Sequence, residues 1–226
     1  MTKLLEAIEL ETGKSPKASV IWMHGLGADG NDFVPIVNEL DLAGVPATRF
    51  VFPHAPMRAV TINNGNVMRA WYDVSFGDLE GKSRRPDAVG LHESQAQIDA
   101  LIGREVKRGI ATEKLVLAGF SQGGAVALQT GLRYPKKIAG IMALSTYLPL
   151  ADTLPLEAAA ENKSVPVFMA HGVYDPVVPL MMGAGSMTFL TGLGYTVEWK
   201  QYPMQHSVCA EEIGDIGDWL RRVLKS

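Results

Sequence analysis

The sequence predicts an α/β fold, a mostly parallel central sheet with helices on both of its faces. Three observations predict it: short apolar runs bounded by turn residues, helical patterns in the gaps between them, and alternation of the two along most of the chain. Runs that are apolar almost throughout fit strands covered on both faces, which is how a parallel sheet is buried. With 226 residues, 47% of them hydrophobic, the chain carries enough apolar material for one sizeable core. A single domain over 1–226 is expected, with no internal repeat and no low-complexity linker.

Taken in order, the first strand is expected at 18–23, where Val20, Ile21 and Trp22 run up to the turn-forming His24-Gly25. A helix over 33–40 precedes a second strand at 48–52, which Pro53 ends. Residues 53–86 then form a long irregular segment, rich in Pro, Asn, Gly and Arg yet carrying Trp71, Tyr72 and Phe76. Segments of this kind inside a compact domain often build a binding site or lid, although aromatics can also simply pin a surface excursion. A helix follows at 92–108, then a strand at 115–118, a helix at 123–133 and a strand at 138–144. Residues 145–164 leave room for a helix but not for a separate cap domain. Strand 165–170, helix 180–193, strand 196–202 and helix 211–225 complete the pattern.

The formal net charge of −3 gives no global attraction to nucleic acid or anionic lipid, and the pairs Arg84/Arg85 and Arg221/Arg222 read as solvated faces. Cys209 is the one cysteine, so no internal disulfide is expected. No signal-peptide pattern opens the chain, no apolar stretch approaches the ~20 residues of a membrane span, and no Met-Gly acylation pattern is present. A cytoplasmic protein without stable membrane insertion or a nucleic-acid partner is expected.

The chemistry begins at Gly119-Phe120-Ser121-Gln122-Gly123, a G-x-S-x-G pattern between an apolar run and a helix-competent segment. A serine on a sharp strand-to-helix turn is held in strained backbone geometry that needs glycine on both sides, and its hydroxyl stands clear of the sheet. Helix-opening N–H groups at Gln122 are left free to face developing negative charge. Serine needs a base whose pKa lies near the working pH. Of the five histidines, chain order in hydrolases of this kind leaves His171 and His206 after the serine. His171 closes an apolar strand, where packing is the expected role. His206 lies in the loop between the last strand and the last helix, at the end of the sheet where ligands bind, and is the expected base. The orienting carboxylate is expected to be Asp175, a short turn beyond strand 165–170; Asp152, beside Pro149 and Pro155, is the rival, better explained as solvated or helix-capping. Leu26, in the turn after the first strand, and Gln122 are the expected N–H donors to an oxyanion.

Other readings of the same motifs fail. Gly25-Leu26-Gly27-Ala28-Asp29-Gly30 lacks the Lys-Ser/Thr ending of a phosphate cradle, and His24, His54 and Asp29 match no metal-ligand spacing. No metal and no cofactor are expected. Met181, Met182 and Met187 could line an adaptable acyl site, though methionines at this spacing also serve ordinary helix packing.

Together, His24-Gly25-Leu26-Gly27-Ala28-Asp29-Gly30, Pro53-His54-Ala55-Pro56, Trp71-Tyr72-Asp73, the Ser121 motif, His171-Gly172 with Asp175-Pro176-Val177-Val178-Pro179, and the His206 loop resemble the bacterial carboxylesterase and acyl-protein thioesterase family, over nearly the whole chain and in register. The resemblance implies a cap-less α/β-hydrolase fold, a triad of Ser121, Asp175 and His206, oxyanion donors Leu26 and Gln122, and an apolar acyl groove that residues 53–71 help to line. Trp71 and Met182 are the expected substrate-binding residues, and a homodimer is plausible by the same similarity. The N-terminus lacks the cysteine that eukaryotic thioesterase members acylate, so their membrane cycling is not carried over. The activity expected first is a serine carboxylesterase acting on small-molecule or lipid acyl esters. Protein thioesterase or lysophospholipase activity is the alternative, and a non-catalytic binding protein on the same fold the contrasting one.

Overall fold

The computed structural model describes residues 4–75, 77 and 87–225. Its main sheet has the strand order β1-β3-β2-β6-β7-β8-β9, with β1 Ala7–Glu11, β2 Ala18–Met23, β3 Thr48–Pro53, β6 Leu115–Phe120, β7 Gly140–Leu144, β8 Val167–Gly172 and β9 Val197–Tyr202. Every pairing is parallel except β1 with β3. Helices α1 Ala88–Lys107, α2 Gln122–Arg133, α4 Leu180–Gly192 and α5 Ala210–Leu224 cover the sheet, and α3 is the single turn Leu154–Glu157. This is the α/β-hydrolase fold.

The period-2 alternation of strands explains the two cores. Ile21 and Met23 of β2 face one side, where Leu91, Ile98 and Leu101 of α1 and Val126 and Leu128 of α2 pack. Val20 and Trp22 face the other, against Ile216, Trp219 and Leu220 of α5. Both faces are therefore dry, as the uninterrupted apolar strand sequences require.

Three departures from the expected elements have physical causes. Strand β1, Ala-Ile-Glu-Leu-Glu, is an edge strand without an apolar run. Ile8 and Leu10 meet one core, while Glu9 pairs with Arg104 and Arg108 at 2.8 Å each and Glu11 with Arg49 at 2.9 Å. The expected helix at 33–40 shrinks to a 3-10 turn, Val34–Asn38, with Pro35 in its first turn. Within that turn only Ile36 is buried, too narrow a stripe to repay a longer helix. Helix α1 starts four residues early because Asp87 caps it, Oδ1 accepting from Gly90 N–H at 2.9 Å.

The irregular segment after Pro53 contains a small antiparallel hairpin, β4 Met57–Val60 with β5 Asn66–Arg69. The hairpin is fastened to the body: Gly27 N–H donates to Arg69 O at 2.9 Å, and Thr61 N–H and Oγ1 donate to the Asp73 carboxylate at 2.7 and 2.6 Å. Phe76, Arg84 and Arg85 lie outside the described residues. Among the described residues, no helix is long and apolar enough to cross a membrane.

Candidate active site

The carboxyl ends of β2, β6, β8 and β9 lie at one end of the sheet, and each is followed by a turn carrying one of the expected residues. Ser121, between β6 and α2, has φ 53° and ψ −120°, a left-handed backbone that costs a non-glycine residue ~1–3 kcal/mol. The neighbouring sequence supplies the room. A Cβ on Gly119 would lie 2.3 Å from Gly123 C and O, and one on Gly123 would lie 2.2 Å from Met23 O. Only glycine at both positions lets β6 turn this tightly into α2 against the end of β2. Ser121 N–H is held by Leu144 O at 2.8 Å, and the side chain faces a cleft of about 170 Å³ that Leu26, Ile62, Tyr72, Gln122 and Val178 also line.

His206 sits after β9, its ring 4.7 Å from that of Phe120. Its Nδ1 lies 2.7 Å from Asp175 Oδ2. The other carboxylate oxygen, Oδ1, accepts from the N–H groups of Val177 and Val178 at 2.8 and 2.9 Å. Burial alone would raise the Asp175 pKa, but the hydrogen bonds from His206, Val178 and Val177 outweigh it and hold the carboxyl below its ordinary value. Asp175 is thus ionised at neutral pH, and both its oxygens are committed. The rival Asp152 lies exposed in a turn.

His171 packs behind this pair, fully buried, with Nε2 at 2.8 Å from Val178 O and 3.5 Å from Asp175 Oδ2. Nε2–H donates to that carbonyl, and desolvation lowers the ring's pKa, so it is neutral. Its packing place at the end of β8 agrees with the expected role, and it also braces the segment that bears Asp175.

The turn His24 to Gly27 lies over the serine: a Cβ on Gly25 would stand 3.5 Å from Ser121 Cβ. His24 shapes this turn from beneath. Its Nδ1 lies 2.7 Å from Gly25 O, and Nε2 accepts from Ala55 N–H at 3.1 Å; burial takes its pKa down to about 4, so the ring is neutral and Nδ1–H is the donor. Leu26 is placed beside Ser121 in the cleft wall, and Gln122 supplies the first N–H of α2.

Two expected contact residues are placed elsewhere. Trp71 does not line the cleft; it is fully buried beneath it, with Nε1–H donating to His24 O at 2.9 Å, N–H to Gln122 Oε1 at 2.8 Å, and its carbonyl accepting from Ser94 Oγ. Its bulk and its indole donor serve the frame. Met182 lines a neighbouring depression with Tyr147 and Phe189, not the Ser121 cleft. The supporting role of the Gln122 side chain was not legible in the sequence. It clamps the segment after β5 by accepting from Trp71 N–H and donating from Nε2 to Tyr72 O at 2.6 Å, across fifty residues of chain.

Residues 6–224 match the phospholipase/carboxylesterase family model. Acyl-protein thioesterase 1 of Cryptococcus neoformans is 35% identical over 239 residues, covering 100% of both chains. The crystal structure of Arabidopsis thaliana SOBER1, a protein named as a carboxylesterase, superposes with a TM-score of 0.84 at 32% identity, over 92% of this chain and 99% of that one. Zea mays acyl-protein thioesterase 2 gives a TM-score of 0.84 at 28% identity, over 97% and 99%. These relatives are fungal and plant proteins, so the resemblance holds at the level of the family and not of a bacterial branch.

Proposed function

The chain belongs to the phospholipase/carboxylesterase family of α/β-hydrolases, and from that premise we propose that it hydrolyses acyl thioesters and esters through Ser121, His206 and Asp175. The observation that carries this reading is the 2.7 Å contact between His206 Nδ1 and an Asp175 carboxylate whose other oxygen is already saturated. Such a pair fixes the imidazole with Nδ1 protonated and Nε2 free to accept.

In this mechanism Ser121 Oγ attacks the acyl carbonyl as His206 Nε2 takes its proton. The carbonyl oxygen becomes an oxyanion, held by the N–H groups of Leu26 and Gln122, each donor contributing roughly 2.7–4 kcal/mol in the transition state. Collapse breaks the bond to the alcohol or thiol, which leaves with the proton from His206. Water then repeats the cycle: His206 takes its proton, hydroxide adds to the acyl carbon, and the acid leaves as Ser121 recovers its proton.

The small-ester carboxylesterase expected first from the sequence is less well supported than its alternative. Several relatives spanning most of their length are named acyl-protein thioesterase 1, which favours removal of acyl groups from protein thiols. The modest Ser121 cleft, about 170 Å³, favours short chains and keeps the carboxylesterase reading as the second. Comparing kcat/KM for an S-octanoyl peptide and for p-nitrophenyl octanoate decides between them. The thioester should be deacylated with the higher kcat/KM; turnover of the ester with an inert peptide would establish the carboxylesterase instead.

A further inference from the structure

Next to the Ser121 cleft lies a second depression of about 280 Å³, with Leu148, Ala151, Met181, Met182 and Phe189 in its walls. Met181 is 84% exposed and Phe189 37%, so apolar side chains lie open on this surface. Tyr147 borders both spaces. Its hydroxyl lies 3.0 Å from that of Tyr72, which also borders the inner cleft.

The two rings stand on separate supports. Tyr72 is buried, and its carbonyl is held by Gln122 Nε2 next to the nucleophile. On the other side, Leu148 N–H donates to Ser186 Oγ at 2.8 Å, and Ser186 Oγ donates to Met182 O at 2.7 Å, tying the chain beyond Tyr147 to α4. Two phenylalanines would cover the same apolar area. The hydroxyls add a bond joining the two supports, which a chain passing between them must break.

We propose that the Tyr72–Tyr147 hydroxyl pair bars the path from the Ser121 cleft to the Met182 depression and so sets the acyl-chain length that is hydrolysed efficiently. A short acyl chain is accommodated inside the bar. The distal methylenes of a longer one reach the depression only by breaking the hydroxyl pair. The depression's occupant is that distal chain, because one residue, Tyr147, forms the wall shared by the acyl cleft and the depression. The proposal rests on the reading of Ser121 as the residue that carries the acyl group.

The test measures kcat/KM for p-nitrophenyl dodecanoate relative to p-nitrophenyl butyrate, alongside labelling of Ser121 by a fluorophosphonate. Each newly buried methylene contributes about fourfold, so Tyr147→Phe and Tyr72→Phe should each raise the dodecanoate-to-butyrate ratio at least tenfold. Adding Met182→Trp to Tyr147→Phe fills the depression and should return the ratio towards the wild-type value, which a loosened fold would not do. An unchanged ratio in both phenylalanine variants with Ser121 still labelled overturns the bar and leaves the nucleophile reading standing. A raised ratio that Met182→Trp does not reverse overturns the depression as the destination. Absence of Ser121 labelling in the wild-type protein overturns the underlying reading and this inference with it.

Discussion

Replacing Asp175 by asparagine exchanges one carboxylate oxygen for an NH2 group and should cost nearly all turnover, for a reason visible in the hydrogen bonds around it. Oδ1 accepts from Val177 and Val178 N–H, so the asparagine carbonyl must take that place; the flipped amide would set its NH2 against two donors and lose both bonds. The NH2 group is therefore aimed at His206 Nδ1, where the carboxylate oxygen accepts at 2.7 Å in the wild type. A donor there selects the imidazole with Nδ1 unprotonated and Nε2 protonated, the tautomer unable to take a proton from Ser121. The expected loss in kcat is on the order of 10⁴-fold, or about 5.4 kcal/mol in the transition state. Because the Val177 and Val178 bonds survive, the fold should persist. The assay is steady-state hydrolysis of p-nitrophenyl butyrate from pH 6 to 9 with a parallel circular-dichroism melt. A folded Asp175→Asn protein within tenfold of wild-type kcat would refute the argument and reopen Asp152 or another carboxylate.

Gly123→Ala places a methyl 2.2 Å from Met23 O and 2.6 Å from His24 O, so β2 or the turn over Ser121 must shift; a loss of ~1–3 kcal/mol in urea unfolding and a lower kcat are expected, and unchanged values would show that the elbow is not tightly packed. Gln122→Ala removes the bonds to Trp71 N–H and Tyr72 O, with an expected loss of ~1–3 kcal/mol; a change below about 0.5 kcal/mol would contradict the clamp, since that is the scale of a neutral surface substitution. Burial lowers the pKa of His24 to about 4 in the folded chain, while the unfolded value is about 6.5. The resulting stability is complete above about pH 6.5 and is lost as pH falls through the folded value near 4, because the unfolded chain binds the proton first. Between pH 7 and 4.5 the wild type should therefore lose about 2–3 kcal/mol more than His24→Gln in urea titrations; parallel slopes would assign the acid sensitivity elsewhere.

The parallel core was legible because β2, β6, β7 and β8 are buried on both faces, and burial on both faces leaves no alternation, only apolar runs. The edge strand β1 escaped because its glutamates are neutralised by Arg49, Arg104 and Arg108 from distant parts of the chain. The serine elbow was legible through its glycines, whose necessity is local and steric. The placement of Trp71 was not, since an indole that supports a site and one that lines it have the same sequence signature. What separates them is a pair of bonds to His24 O and Gln122 Oε1, 47 and 51 residues away. Met182 was similarly ambiguous: helix position puts it near the Asp175 loop, but the intervening Tyr147 decides which hollow it faces.

The most direct measurement is intact-mass and peptide analysis of the wild-type protein after treatment with a fluorophosphonate, paired with the pre-steady-state burst of p-nitrophenol. One adduct per chain on Ser121, a burst of matching stoichiometry, and loss of both in Ser121→Ala and His206→Ala are the expected results. A folded protein that takes no adduct at Ser121 yet hydrolyses the ester at an undiminished rate in Ser121→Ala would contradict the account.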